Sequence, residues 1–129
     1  NAQSRLTYLG QLSREEITAF LSNASILALA RPNSQQSEGG FPTKLGEYLA
    51  SGKPVCVTNI GEISDYLVHH KSAFFAEPGS YLSFAEAITN ALSSVDIEKV
   101  GKEGQKIAFQ IFNKDIQSKR LHDFLVSNK

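Results

Sequence analysis

Residues 37 to 55 read SEGGFPTKLGEYLASGKPV, and they gather the residue types in this chain that could do chemistry. Two glycines, Gly39 and Gly40, precede a proline and a lysine at the amino end of a helical pattern that carries one glutamate, Glu47. Backbone N–H groups at Thr43 and Lys44 and the positive end of the helix dipole suit an anion, with about 0.3 to 1 kcal/mol coming from the dipole at an exposed site. Gly39 and Gly40 leave room for close backbone approach. Lys44 adds a mobile cation able to neutralise a diphosphate. Glu47, one turn further in, is able to accept two hydrogen bonds from vicinal hydroxyls such as a ribose presents. The same letters also suit a structural loop opening a helix. They do not suit the phosphate loop of nucleoside triphosphatases, because GGFPTKLG lacks the glycine-lysine-serine or threonine order at the required spacing.

Alternating strands and helices are expected to hold this segment. RLTYLG, residues 5–10, reads as a strand through Leu6, Tyr8 and Leu9 that ends in a turn at Gly10. SREE then offers a capping box, with Ser13 accepting from the backbone three residues on and Glu16 reaching back. Ile17, Phe20, Leu21 and Ala24 recur at helical spacing as one buried stripe. SILALA, residues 25–30, is apolar without alternation, as expected for a central strand covered on both faces. The polar loop RPNSQQSEGG follows, about ten residues and long for a strand-to-helix connection. Arg31 at its start is placed to reach a phosphate or to sit as an ordinary surface arginine. The helix from Thr43 is expected to bury Leu45, Tyr48 and Leu49 and to stop at Gly52 before Pro54. PVCVT and AFFAE, residues 54–58 and 73–77, read as two more buried strands with a short helix from Glu62 to Leu67 between them. Leu82, Ala85, Ile88 and Leu92 mark a longer helix, and Ile97, Val100, Ile107 and Ile111 another. Asn113 caps a last helix carrying Ile116, Leu121, Phe124 and Leu125.

Strand, helix, strand, helix with unalternating apolar strands implies right-handed crossovers and a doubly wound parallel sheet, an α/β fold of Rossmann-like type. Ligands then belong beyond the carboxyl ends of the strands, where residues 37 to 55 lie. A length of 129 residues allows a single domain, 1–129, and four predicted strands are few for such a sheet, so further strands are expected upstream. A hydrophobic share of 41% excludes a disordered chain. Thirteen basic residues balance thirteen acidic ones, so no net field favours nucleic acid or an anionic surface. Cys56 has no partner for an internal disulfide and reads as core packing, which with the lack of a basic and apolar leader points to the cytosol. No apolar run reaches the length of a membrane span. His69 and His70 are adjacent and lack a cysteine pair, so they read as loop residues and no metal site is expected. Glu62 and Asp65 read as the exposed side of a short helix. Lys102, Lys106, Lys114, Lys119 and Arg120 read as a solvated face, with contact to a membrane surface as the other reading.

FPTKLGEYLASGKPV resembles the signature of retaining glycosyltransferases of the GT-B fold, family 4, in their C-terminal donor-binding domain. LTYLGQLSREEITAFLSNASILALA is similar to the strand, helix and strand before that signature, and PVCVTNIGEISDYLVHHKSAFFAEPGSYLSFAEAITNAL to the segment after it. The likeness covers nearly the whole chain. It implies that residues 1–129 are most of a nucleotide-sugar-binding domain, with the N-terminal acceptor domain and an earlier glycine-rich basic loop outside this chain. By the same likeness, Glu47 takes the place of the second glutamate of a paired motif that binds the nucleotide ribose, and Phe41 matches the aromatic between the two glutamates. Backbone groups of Gly40, Phe41, Pro42, Thr43 and Lys44 would face the donor's sugar and diphosphate, Pro42 without an N–H. Gly10 corresponds to the turn that touches the base. Gly39 stands where the first glutamate would, and Glu38, one residue early, is the candidate for the sugar-contacting carboxylate. No other side chain is assigned a catalytic role.

The activity implied for the whole enzyme is transfer with retention from a nucleotide diphosphate sugar, a UDP-sugar foremost, to an acceptor saccharide that is lipid-linked in one form. Bacterial surface polysaccharide or lipopolysaccharide (O-antigen) biosynthesis is the expected setting, cytoplasmic and at the inner face of the membrane through peripheral contact. No cofactor is required by that scheme, and the isolated fragment is expected to be inactive. The other class of reading is a noncatalytic Rossmann-like regulatory module that binds a nucleotide or a partner, because fold alone does not give function.

Overall fold

Three strands form one parallel sheet in the order β1-β2-β3 in the computed structural model, which describes residues 5–127. The strands are β1 (Leu27–Leu29), β2 (Val55–Thr58) and β3 (Phe74–Ala76). Around them run α1 (Arg14–Asn23), α2 (Gln35–Glu38), α3 (Thr43–Ala50), α4 (Ile63–Tyr66), α5 (Tyr81–Ser93), α6 (Ile97–Ile111) and α7 (Lys114–Ser127). Leu27 pairs with Val55 and Leu29 with Val57, while Cys56 pairs with Phe74 and Thr58 with Ala76. Every residue of β2 is buried, and its side chains alternate between two cores. Val55 and Val57 pack with Leu45 and Leu49 of α3, whereas Cys56 packs with Phe74, Ala91 of α5 and Val100 of α6. Both faces of the sheet are thus covered, as a parallel sheet requires.

Helix α3 packs firmly on the sheet through two leucines. Leu45 and Leu49 are fully buried, each stabilising by about 1.5 to 3 kcal/mol through area removed from water. Gly52 turns the chain at φ +75°, a left-handed conformation that a glycine adopts without strain, and Pro54 follows. Helix α6 lies directly on this turn: a Cβ added at Gly101 would stand 2.4 Å from the Gly52 carbonyl oxygen, and one at Gly104 would stand 2.7 Å from that of Ser72. The Gln105 amide donates to the Ala50 carbonyl at 2.8 Å and completes the seam.

Four expectations need correction. Residues 6–10 form no strand, and Leu6 and Tyr8 are 80% and 95% exposed. A strand needs a paired neighbour, and no strand lies beside this run among the described residues. For the same reason β1, expected at the centre, is an edge strand with Ala28 exposed, and the central strand is β2. The α1 capping box forms, with Glu16 accepting from Ser13 N at 2.8 Å and Ser13 Oγ accepting from Glu16 N at 3.2 Å. The stripe behind it is nevertheless open, since Leu21 and Ala24 are half-buried and Ile17 and Phe20 are 41% and 50% exposed. Finally, α5 meets the core with Phe84, Ala87, Ile88 and Ala91, leaving Leu82, Ala85 and Leu92 exposed, because the face that lies over the sheet is rotated from the expected stripe and shares only Ile88 with it. Asn113 caps α7 as expected, its Oδ1 accepting from Asp115 N at 2.9 Å.

Candidate functional site

The loop between β1 and α3 is held from below by backbone and side-chain contacts of Arg31. Arg31 N donates to Thr58 Oγ1 at 3.0 Å, which ties the end of β1 to the end of β2. The Arg31 guanidinium then donates from Nη1 to the carbonyls of Ser37, at 3.1 Å, and Gly40. The first of those carbonyls belongs to α2, a single helical turn that the sequence reading took for plain loop, and the second lies just beyond it. Its signal was Ser34, whose hydroxyl accepts from Ser37 N at 3.2 Å as an N-cap. Gly61 packs beneath, at φ +65°, and a Cβ there would approach the Glu38 carbonyl oxygen to 2.6 Å.

Above this platform the chain turns into α3 through Gly39, Gly40, Phe41 and Pro42. Gly39 caps α2 and donates its N–H to Gln35 O at 2.9 Å. Pro42 is the N-cap of α3, and no side chain caps that helix. Thr43 and Lys44 occupy its exposed first turn, and Glu47 is exposed one turn on. Glu38 ends α2 and is exposed. The structure therefore brings Glu38, Gly39, Gly40, Phe41, Pro42, Thr43, Lys44 and Glu47 into one short stretch of surface. Arg31 lies under it, half-buried and engaged with the loop carbonyls.

Glu47 borders two grooves. One, of about 510 Å³, runs between α3 and α1 and is lined by Arg14, Ile17, Leu21, Glu47 and Ser51 among others. The other, of about 720 Å³, lies on the opposite flank between α3, α4 and the start of α7, with Phe41, Glu62, Tyr66, Phe112 and Arg120 on its walls. Phe41, Tyr66 and Phe112 touch one another there, their ring centroids 5.0 to 5.6 Å apart. A carboxylate at the mouth of two grooves, beside a helix end that no side chain caps, can bind a polar, partly anionic ligand through backbone N–H groups, Lys44 and Glu47.

Other residues of interest fall elsewhere. Gly10 has φ +68° and open space around it, and it does not line either groove. Cys56 is a buried core residue whose thiol is pushed up to about 11 by burial. His69 and His70 have ring centroids 3.9 Å apart, tilted by 59°, in the turn before β3, and no group of three or more metal-ligating side chains occurs among the described residues. Sequence reasoning missed Arg14, Tyr66 and Phe112 as neighbours of the site. The aromatic pair was visible only as two rings in distant segments, and nothing in the spacing joined them to Phe41.

Residues 1–106 match the model of the glycosyl transferases group 1 family. The chain belongs to that family. Solved structures agree in fold: HepE from Anabaena, in complex with UDP and glucose, superimposes with a TM-score of 0.80 at 20% identity over 97% of this chain and 33% of its own. HepE in complex with UDP-glucose gives a TM-score of 0.70 at 20% identity over 84% of this chain and 29% of that one. Sucrose-phosphate synthase from Thermosynechococcus elongatus gives 0.76 at 21% identity over 98% and 31%. This chain therefore has the fold of a GT-B glycosyltransferase domain and spans about a third of the length of these structures. No curated protein sequence matches it. Among the described residues of this glycosyltransferase domain, no helix is long and apolar enough to cross a membrane.

Proposed function

We propose that this chain is the nucleotide-sugar-binding part of a retaining glycosyltransferase of GT-B family 4, and that an N-terminal acceptor domain completes the enzyme. The observation that carries the reading is the α3 amino end, which no side chain caps, entered through Gly39 and Gly40 with Glu47 one turn inside. The diphosphate of a UDP-sugar would sit over the N–H groups of Thr43 and Lys44 with the Lys44 ammonium alongside. Its ribose hydroxyls would donate to Glu47 from the groove beside α1, and the base would lie toward Gly10. Glu38 would face the transferred sugar. Catalysis in such a site comes from holding the donor in line and stabilising the departing diphosphate by fixed dipoles and charge. The complexes of HepE with UDP and UDP-glucose support this donor class. The acceptor is a saccharide, lipid-linked in one form, in bacterial surface polysaccharide or lipopolysaccharide assembly at the cytoplasmic face of the membrane. The domain alone should not turn over.

Titration of the chain with UDP, GDP and uridine, followed by amide chemical shifts, tests this. UDP should move Gly40, Thr43, Lys44 and Glu47 more than uridine does. Glu47→Gln should weaken UDP about tenfold, since hydrogen bonds to a charged group contribute about 1.5 to 3 kcal/mol. Equal responses to UDP and uridine would remove the diphosphate from the site. Silence to every nucleotide at millimolar concentration in the full-length protein would favour the noncatalytic module.

A further inference from the structure

We infer that Phe112 is a positioning residue for the loop that opens α3, acting through Phe41; only its consequence for ligand affinity rests on the donor-site reading above. Phe112 is the C-cap residue of α6, far in sequence from the site, and its ring lies 5.0 Å from that of Phe41 and 5.5 Å from that of Tyr66. Tyr66 closes the triangle by meeting Phe41 edge-on at 5.6 Å. Phe112 is also seated on α3, where a Cβ added at Gly46 would stand 3.7 Å from its own Cβ.

The loop needs such a hold. Arg31 fixes the carbonyls of Ser37 and Gly40 from below, but the two adjacent glycines that follow α2 have no side chains by which to be held. Phe41 is the residue between Gly40 and the α3 N-cap whose side chain is large enough to be gripped. It is 36% exposed, so burial alone does not fix its ring. Contacts with Phe112 and Tyr66 do, because paired rings at these distances add attraction beyond the area they bury. Rigid placement of Phe41 sets the direction in which Pro42 delivers the chain to α3, and hence where the Thr43 and Lys44 N–H groups point.

The test compares Phe112→Leu, Phe112→Tyr, Phe41→Leu and the double leucine variant in the 129-residue chain. In the absence of ligand, Phe112→Leu should speed hydrogen exchange at the Gly39 and Leu45 amides, which donate to Gln35 O and Pro42 O at the two ends of the loop, about three- to tenfold, the range a lost ring pair implies. Amides of α5 should not change, and Phe112→Tyr should restore the parent rates. Phe41→Leu should give the same local pattern, and the double variant should add nothing to it. With UDP, the two single leucine variants should each lose about three- to tenfold in affinity, again without additivity. Unchanged exchange at the loop amides in Phe112→Leu, or additive effects in the double variant, would overturn the inference. If Phe112→Leu does not fold, the exchange rates of Phe41→Leu alone decide, since rates equal to the parent's would show that the ring contact does not order the loop. If the parent chain does not bind UDP, the exchange result alone judges Phe112, and the donor reading is judged by the titration of the full-length protein.

Discussion

Helix α3 has two neighbouring helices, and they grip it on different terms. On one flank α6 lays Gly101 and Gly104 against backbone, with Gln105 bonded across to Ala50 O. On the other, α1 has no buried residue and leaves a groove of about 510 Å³ that reaches Glu47. The sheet repeats the contrast at its edges. At β3 the outward N–H of Phe75 donates to His69 Nδ1 at 2.8 Å, while at β1 Ala28 is exposed. One side of the molecule is closed and sets the aim of α3. The other is open beside α1, and Glu47 stands between the groove there and the one of about 720 Å³ that remains near the end of α6.

The largest effect should come from disturbing the closed flank. Gly101→Ala places a methyl 2.4 Å from the Gly52 carbonyl oxygen and 3.0 Å from Lys53 C, both backbone atoms that cannot rotate away. Overpacking of this kind costs about 1 to 3 kcal/mol, and contact with rigid backbone puts the expectation at the upper end. Urea denaturation should show a midpoint well below that of the parent. A midpoint within error of the parent's would mean that α6 slides freely and that the two flanks do not differ in the way argued.

On the open flank the next effect is smaller. Ser13→Ala removes the cap hydroxyl of α1 and one half of the capping box, worth about 1 kcal/mol. Because α1 is weakly attached, its own amides should lose exchange protection before those of α3 and β2 do. Tyr8→Ser, in the run where a strand was expected, should change stability by no more than about 0.5 kcal/mol, since the ring is 95% exposed. A larger loss would show that residues 6–10 are packed in solution, and would narrow the contrast between the flanks.

How much could be read from the sequence follows the same division. On the closed side, Leu45, Leu49, the unalternating β2 run and the Gly52–Pro54 stop each had a local pattern that agreed with their surroundings, so α3 and β2 came out as expected, while β1 formed but at the edge of the sheet rather than its centre. Ser13 and Glu16 were equally legible because a capping box involves only near neighbours. The run Leu6 to Gly10 was misread because strand pattern alone does not supply a partner strand. The leucines of α5 were misread because apolar residues occur on more than one face of that helix, and the face through Phe84, Ala87, Ile88 and Ala91 is the one that meets the sheet. In the candidate site, Gly39 to Glu47 were singled out from residue type and position, and the structure places them on one stretch of surface. The Arg31 clamp on Ser37 and Gly40 and the meeting of Phe41, Tyr66 and Phe112 were not, since they depend on contacts between segments with no periodic signal.

The smallest expected effect lies at the closed edge of the sheet and depends on pH. His69 Nδ1 accepts from Phe75 N, so the bonded ring is neutral at that nitrogen. Burial first, and the charge of His70 second, hold His69 below its ordinary value of 6.5. Lys71 follows in the same turn, and Phe75 and Phe74 supply the rings packed against the two histidines. As pH falls below 6.5 the unfolded chain takes up the proton before the folded one, so the unfolded state binds more protons and stability declines with falling pH. The contribution is complete above the unfolded value and fades through the interval down to the lower folded value. His69→Gln abolishes the titration, so the stability gap between parent and variant, measured by urea denaturation at about pH 7.5 and about pH 5, should shrink or reverse at the lower pH. The change should be slight because the ring is largely exposed. An equal gap at both pH values would mean that the β3 edge holds without its histidine, and the closed edge would then owe its closure to Phe74 and the α5 packing alone.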